Sequence, residues 1–240
     1  MRAYGFSTGA LAPGNFDEAL MMLADIDVRA IELSALRIRE LQALVDFTKR
    51  ADLERFTHIS VHAPTDYHAS QESAIVEMLV PFAKKGWPII AHPDVIHDFL
   101  PWRKLGAFLY IENMDKRKMV GRTVDELASI FEKLPEAQLC FDIAHARQVD
   151  TTMLVAYRIA RDLRDRIKQI HISTVSSQSK HNVISQIVAR SFHSIASYIP
   201  CQAPAILETP VGAAQVGEQL SLAEYSLDSV PHFASLVGNA

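Results

Sequence analysis

Short apolar runs recur along this chain at intervals of roughly 30 residues, the length of one strand, one helix and two short loops, and few folds accept that rhythm. The runs are Ala3 to Phe6, Ala30 to Leu33, Ile59 to Val61, Pro88 to Ala91, Phe108 to Ile111, Leu139 to Phe141, Lys168 to Ile170 and Ala205 to Leu207. Between them apolar residues return with helical period over Phe16 to Ile26, Ile38 to Arg50, Gln71 to Lys84, Asp94 to Leu105, Val124 to Leu134, Thr152 to Leu163 and Val183 to Tyr198. Asn15 ahead of Glu18, and Thr123 ahead of Glu126, have the spacing of a helix cap with a returning carboxylate. Strict alternation over 240 residues predicts one α/β domain spanning residues 1–240, a single (β/α)8 TIM barrel of parallel strands. A doubly wound sheet also alternates strand and helix. Its glycine-rich phosphate turn is missing, because Gly5-Phe6-Ser7-Thr8-Gly9 does not match that fingerprint. The fourth unit is short. After Glu208 the pattern weakens, since Val211 to Gln219 shows no clear period and Pro231 interrupts any last helix, so a loop and a poorly regular C-terminal helix are expected.

Four of the runs end on a metal-binding side chain: Glu112, Asp142, His171 and Glu208. Parallel strands closed into a ring bring their C-terminal ends to one rim, where a barrel of this kind carries its site. A charged group at the end of a buried run costs several kcal/mol unless it is paired or bound to a metal. Any one of the four could cap the next helix instead, as Asp142 could for a following turn. The repetition carries the argument. The same rim is expected to hold His62, His92 and His145, with His181 at loop distance after the seventh strand. Such a mixture of carboxylate and imidazole suits a divalent ion such as Mn²⁺, Mg²⁺, Co²⁺ or Zn²⁺. With ten histidines in the chain some stand near strand ends by chance, and His58, His68, His97, His193 and His232 are read as ordinary surface or core residues.

Composition narrows the function further. A net charge of −4 argues against a protein built to grip a phosphate backbone, so nucleic acid is not the expected partner. Only Cys140 and Cys201 are present, without the spacing of a zinc or redox motif, which suits a reducing, cytoplasmic setting. No stretch reaches the roughly 18 apolar residues of a membrane span, and the first residues lead into a strand rather than a signal segment. Whether two barrels pair is left open.

The segments Val61-His62-Ala63-Pro64, Ala91-His92-Pro93, Ile111-Glu112-Asn113, Phe141-Asp142-Ile143-Ala144-His145-Ala146, Ile170-His171-Ile172 and Leu207-Glu208-Thr209-Pro210 resemble, in order and spacing, the xylose-isomerase-like barrels. These include sugar and sugar-phosphate isomerases and epimerases and also endonuclease IV. The resemblance to the isomerase branch implies that Glu112, Asp142, His171 and Glu208 hold one divalent metal, and that Glu112 and Glu208 also move protons. The resemblance to the endonuclease branch implies that His62, His92, His145 and His181 join them around three zinc ions. That branch has an aspartate two residues before its last histidine, where this chain has Ser179, and an aspartate common to both branches after His171 is replaced in Ile172-Ser173-Thr174.

The leading expectation is therefore a metal-dependent isomerase or epimerase of a small carbohydrate, working through an enediolate without an organic cofactor. The alternative is a zinc-dependent phosphodiesterase acting on abasic DNA. A barrel that binds without turnover is a third, less economical reading. Lys116, Arg117 and Arg147 stand where they could hold a substrate phosphate, although basic runs are more often solvated loops. Glu32, read as ending the second strand, either reaches the pocket or serves as a cap or ion-pair partner.

Overall fold

In a computed structural model that describes residues 2–228, eight parallel strands close into a barrel with helices outside them. The strands are β1 (Tyr4–Ser7), β2 (Ala30–Ser34), β3 (His58–His62), β4 (Ile89–Ala91), β5 (Leu109–Glu112), β6 (Gln138–Asp142) and β7 (Ile167–Ile172), followed by the hairpin pair β8 (Thr174–Val175) and β9 (His181–Asn182), and then β10 (Ala205–Leu207). The ring runs β1-β10-β7-β6-β5-β4-β3-β2, while β8 and β9 form a separate two-stranded sheet. The helices are α1 (Thr8–Leu11), α2 (Phe16–Met22), α3 (Ile38–Phe47), α4 (Glu72–Lys84), α5 (Phe99–Trp102), α6 (Val124–Lys133), α7 (Ile143–Val149), α8 (Leu154–Asp162), α9 (Gln186–His193) and α10 (Val216–Leu227). The closed ring excludes the doubly wound alternative.

Ring strands are covered on both faces, so apolar side chains such as Phe6, Ile31, Ile206 and Leu207 have no exposed area. Gly5 is required where β1 meets β2, since a Cβ there would lie 1.7 Å from the Ala30 carbonyl oxygen. The expected caps exist. Asn15 accepts from the Glu18 amide at 3.2 Å and Thr123 accepts from the Glu126 amide at 3.3 Å. The Glu126 carboxylate turns back one residue further than expected, onto the Arg122 amide at 2.7 Å.

Three expectations need correction. The helix expected over Asp94 to Leu105 is broken into short pieces, because Pro93 and Pro101 remove donors and Gly106 takes a positive φ. That stretch is tied instead to Glu72 of α4, which accepts from the His97 amide (2.9 Å), the Asp98 amide (2.8 Å) and the Trp102 indole (2.9 Å). The C-terminal helix is regular over α10. Its buried face includes Gln219, Ala223 and Ser226, which an apolar period does not reveal, and Gln219 accepts from the Ile184 amide at 2.6 Å. Last, α7 follows Asp142 directly where no helix was expected. The break at Pro231, like His232, lies outside the described residues.

Candidate metal centre

Alternation along three strands builds the inside of the barrel. On β3, His58, Ser60 and His62 share one face, with Ile59 and Val61 on the other. Glu32 of β2 lies beside Ser60. In β7 a register shift against β6 leaves Lys168 out of the pairing, so that Gln169 faces Cys140 and His171 faces Asp142. That shift places Gln169 and His171 together on the inner face, and makes His171 an interior residue of a strand longer than expected.

Glu112, Asp142, His171 and Glu208 do meet: each offers one ligand atom, all within 4.8 Å of one another. Glu112 is the centre of the cluster. Its Oε2 lies 3.3 Å from His62 Nε2, 3.3 Å from His92 Nε2 and 3.4 Å from His171 Nδ1, and its Oε1 lies 3.2 Å from His145 Nδ1. Glu208 Oε2 stands 3.4 Å from His171 Nδ1 and 3.6 Å from His181 Nδ1. His62, His92 and Glu112 form a second trio with ligand spacing, and Glu32, His62 and Glu208 a third.

Asp142 does cap the following helix, and its second oxygen faces the cluster. Its Oδ1 caps α7 by accepting from the His145 amide at 2.7 Å, whereas its buried Oδ2 has no hydrogen-bond partner. His171 Nδ1 and Glu208 Oε2 are likewise buried and unpartnered. These atoms face only one another, Asp142 Oδ2 lying 3.3 Å from His145 Nδ1 and His171 Nδ1 3.4 Å from Glu112 and Glu208, and three without a hydrogen bond turned into one cluster fit a cation.

Charge in the cluster is balanced between acids and imidazoles. Burial opposes ionisation of Glu112, yet His171 and His92 outweigh it and hold that carboxyl well below its usual range. Asp142 is pushed up to about 6 by burial, with Glu112 and Glu208 adding to the effect. Burial also opposes charge on His145, but Asp142 and Glu112 push it up to about 10. His171 is raised in the same way, against burial, by Cys140, Glu208, Glu32 and Glu112.

Several residues that the strand-end argument does not single out hold this arrangement. Asn113 pairs reciprocally with the backbone of Asp142: its amide donates to the Asp142 carbonyl and its oxygen accepts the Asp142 N–H, both at 2.8 Å. The carbonyl of Asn113 also accepts from His145 Nδ1 at 3.0 Å. Buried Asp115 accepts from the Ser179 hydroxyl at 2.5 Å, and Gln148 donates to Ser179 at 3.0 Å, so the hairpin carrying His181 is fastened to the β5 rim and to α7. His181 itself meets the Ser173 hydroxyl at 2.9 Å.

The basic residues divide. Arg117 pairs with Asp115 at 3.4 Å, Lys118 with Asp94 at 2.5 Å and Arg122 with Glu126 at 2.7 Å. Lys116 uses its amide to bond Gln148, and Arg147 has a buried Nε without a partner; neither makes an ion pair among the described residues.

The profile of the xylose isomerase-like TIM barrel family matches residues 32–220, and the chain belongs to that family. No curated protein matches its sequence. Among solved structures it is similar to endonuclease IV from Thermus thermophilus, at 18% identity and a TM-score of 0.63 over 95% of this chain and 100% of that one. It is similar to the IolI protein, solved with a zinc atom bound, at 13% identity and 0.63 over 93% and 96%. A xylose isomerase domain protein from Alicyclobacillus acidocaldarius matches at 11% identity and 0.64 over 93% and 100%. Likeness at such identities speaks for the fold alone. Among the described residues no helix is long and apolar enough to cross a membrane.

Proposed function

We propose that this chain is a divalent-metal-dependent isomerase or epimerase of a sugar, a sugar phosphate or a related keto compound. The observation that carries the reading is the pair Glu112 and Glu208. They come from strands three places apart around the ring, yet each has a carboxylate oxygen 3.4 Å from the same nitrogen of His171. Three carboxylates and one imidazole form a hard to borderline donor set, suited to Mn²⁺, Mg²⁺, Co²⁺ or Zn²⁺.

A divalent ion held by Glu112, Asp142, His171 and Glu208 supplies Lewis acidity, lowering the cost of negative charge on a carbonyl and its neighbouring hydroxyl. The protein's own side chains do the proton work. Glu208, whose side chain is 12% exposed against 1% for Glu112, stands nearer the mouth and takes the proton from the carbon beside the carbonyl. Glu112, deeper and held ionised by the imidazoles around it, receives a proton from charged His145, whose Nδ1 lies 3.2 Å from its Oε1, and passes it to the other face or to the next carbon; Glu208 is left with the abstracted proton and His145 neutral until solvent restores both. His145, charged at neutral pH, faces the oxygens of both Glu112 and Asp142 and keeps their negative charge from rising as the substrate's does. His181 stands across the mouth from Glu208 on the fastened hairpin. Lys116 and Arg147, lacking carboxylate partners, are the cations left to meet a substrate phosphate.

One observation favours a second reading. His62 and His92 both aim Nε2 at the same oxygen of Glu112, as two-ion hydrolysis of a phosphodiester by an endonuclease-IV-like enzyme needs. Against it, the hydroxyl of Ser179 is spent on Asp115 and offers no anion, and the chain's net charge is −4.

The two readings separate by assay. With Mn²⁺ or Co²⁺ added, deuterium from solvent is expected to enter a pentose, hexose or sugar phosphate at the carbon next to its carbonyl. No uptake across such a panel, together with nicking of a plasmid bearing abasic sites, replaces this reading by the hydrolytic one.

A further inference from the structure

The interior of a barrel of this fold is usually filled by branched apolar side chains, but here a polar column stands beneath the ligand cluster. It consists of His58, Gln169, Ser60 and Glu32, with His171 above them. Glu32, Ser60, Gln169 and His171 have no solvent exposure. We propose that Glu32 is a positioning residue that fixes the ring and tautomer of His171 so that its Nδ1 lone pair is presented to the metal; the inference rests on the four-ligand reading above.

The direction of each hydrogen bond follows from its neighbour. His58 Nε2 lies 2.7 Å from the side-chain oxygen of Gln169, which can only accept. The Gln169 amide nitrogen is thereby turned to Glu32, and donates to its Oε2 at 2.7 Å. The Ser60 hydroxyl donates to the same oxygen at 3.1 Å. His171 Nε2 stands 2.9 Å from it too, and a carboxylate can only accept, so Nε2 is the nitrogen that keeps its proton when Nδ1 gives its own up to a cation; the Gln169 amide nitrogen, also 3.1 Å from Nε2, then spends its protons elsewhere, one of them on Glu32. Nδ1 is then left to the cluster, 3.4 Å from both Glu112 and Glu208.

Space filling and hydrogen bonding do not explain a glutamate here. Glutamine has the same shape and also accepts from Nε2, whereas an ionised carboxylate is expensive to bury, the more so because Glu32 Oε1 has no partner. What only glutamate adds is charge behind the imidazole, which makes Nδ1 a stronger donor to a cation. One competing role exists, because Glu32, His62 and Glu208 themselves have ligand spacing and Oε1 is idle.

The experiment is calorimetric titration of Mn²⁺ and Zn²⁺ into the metal-free chain and into Glu32→Gln, with circular dichroism and melting of both metal-free proteins. The expected result is a metal-free variant that keeps the wild-type circular dichroism spectrum and a cooperative melt but binds the ion about 10- to 100-fold more weakly at unchanged stoichiometry. Equal affinity overturns the proposal. So does the loss of one ion per chain with the remaining affinity unchanged, which makes Glu32 a ligand. A wild type that binds no divalent ion removes the four-ligand reading itself and this inference with it. Should Glu32→Gln fail to fold, Gln169→Met carries the test, since it takes away the donor at 2.7 Å but keeps the bulk. A smaller loss of affinity is expected there, and none overturns the proposal.

Discussion

Asp142→Asn separates the two tasks of one side chain. Its remaining amide oxygen still accepts from the His145 amide, so α7 keeps its cap, while the atom that replaces Oδ2 becomes an NH₂ group and no longer a ligand. In the metal-free protein the change is not expected to destabilise. Raising the carboxyl from 3.8 to about 6 means that keeping it ionised at neutral pH costs about 3 kcal/mol, at roughly 1.4 kcal/mol per unit. The substitution relieves that cost, and part of the gain is returned because His145 loses a partner. The metal-free melting temperature should therefore stay level or rise. Ion binding behaves differently. At a free concentration 100 times Kd an ion stabilises the wild type by about 2.7 kcal/mol, and with an unfolding entropy of about 2.1 cal/mol/K per residue a chain of 240 residues gains about 5 °C. If losing a direct ligand weakens binding at least 100-fold, the same concentration adds about 0.4 kcal/mol and about 1 °C or less to the variant. Differential scanning fluorimetry of both proteins, with EDTA and with graded Mn²⁺ or Zn²⁺, measures all four values. A variant that keeps the full ion-induced shift, or that melts several degrees lower without any ion, refutes the division of labour between the two oxygens.

Three other outcomes follow from the same coordinates. Glu208→Gln should lower solvent deuterium wash-in by about 100-fold or more, the usual range for a general acid-base group, and a rate within threefold of wild type removes Glu208 from the proton path. Glu72→Ala strands the His97, Asp98 and Trp102 donors and should cost about 3 kcal/mol or more in urea unfolding; a loss below about 1 kcal/mol shows that water replaces the carboxylate there. For pH, His145 has a folded value raised from 6.5 to about 10, so its contribution to the metal-free protein is full below pH 6.5 and is lost by about pH 10. Glu112 is lowered, so its contribution is present above 4.5 and lost as pH falls below that. Urea unfolding with EDTA present should accordingly weaken between pH 7 and 10, and a flat profile across that interval contradicts a charged His145.

The acids were legible because each ends a run of buried residues, a place where an unpaired charge is too costly to be incidental. Glu112, Asp142 and Glu208 all stand where that reasoning puts them. His171 needed more: the skipped Lys168 lengthens β7 and resets which side chains face inward, and no apolar pattern announces a bulge. Helix α7 stayed hidden because Ile143, Ala144, His145 and Ala146 are all buried, which erases the amphipathic period. Helix α10 stayed hidden for the opposite reason, since its inner face uses Gln219 and Ser226. Asn113, Asp115, Gln148 and Ser179 act by bonding to backbone or to one another across loops, and such pairings depend on a closure that local sequence does not encode.

One rule unites the cluster. Where a candidate ligand is firmly held, one of its two polar atoms is tied to the scaffold and the other is left to the centre. Asp142 gives Oδ1 to α7 and turns Oδ2 to His145; His171 gives Nε2 to Glu32 and turns Nδ1 to Glu112 and Glu208; His62 gives Nδ1 to the Ala63 carbonyl at 2.9 Å and turns Nε2 to Glu112. Preorganisation of this kind explains why the inner face of the barrel tolerates polar residues at all. On the proposed reading Glu32 orients His171, with Gln169 and Ser60 holding Glu32, and an apolar replacement would fill the volume but free the ring above it to rotate. By the same logic His92, with no hydrogen bond on its Nδ1, is the loosest member of its trio with His62 and Glu112. If a second ion enters there, it should be the weaker of the two and the first to leave under a chelator.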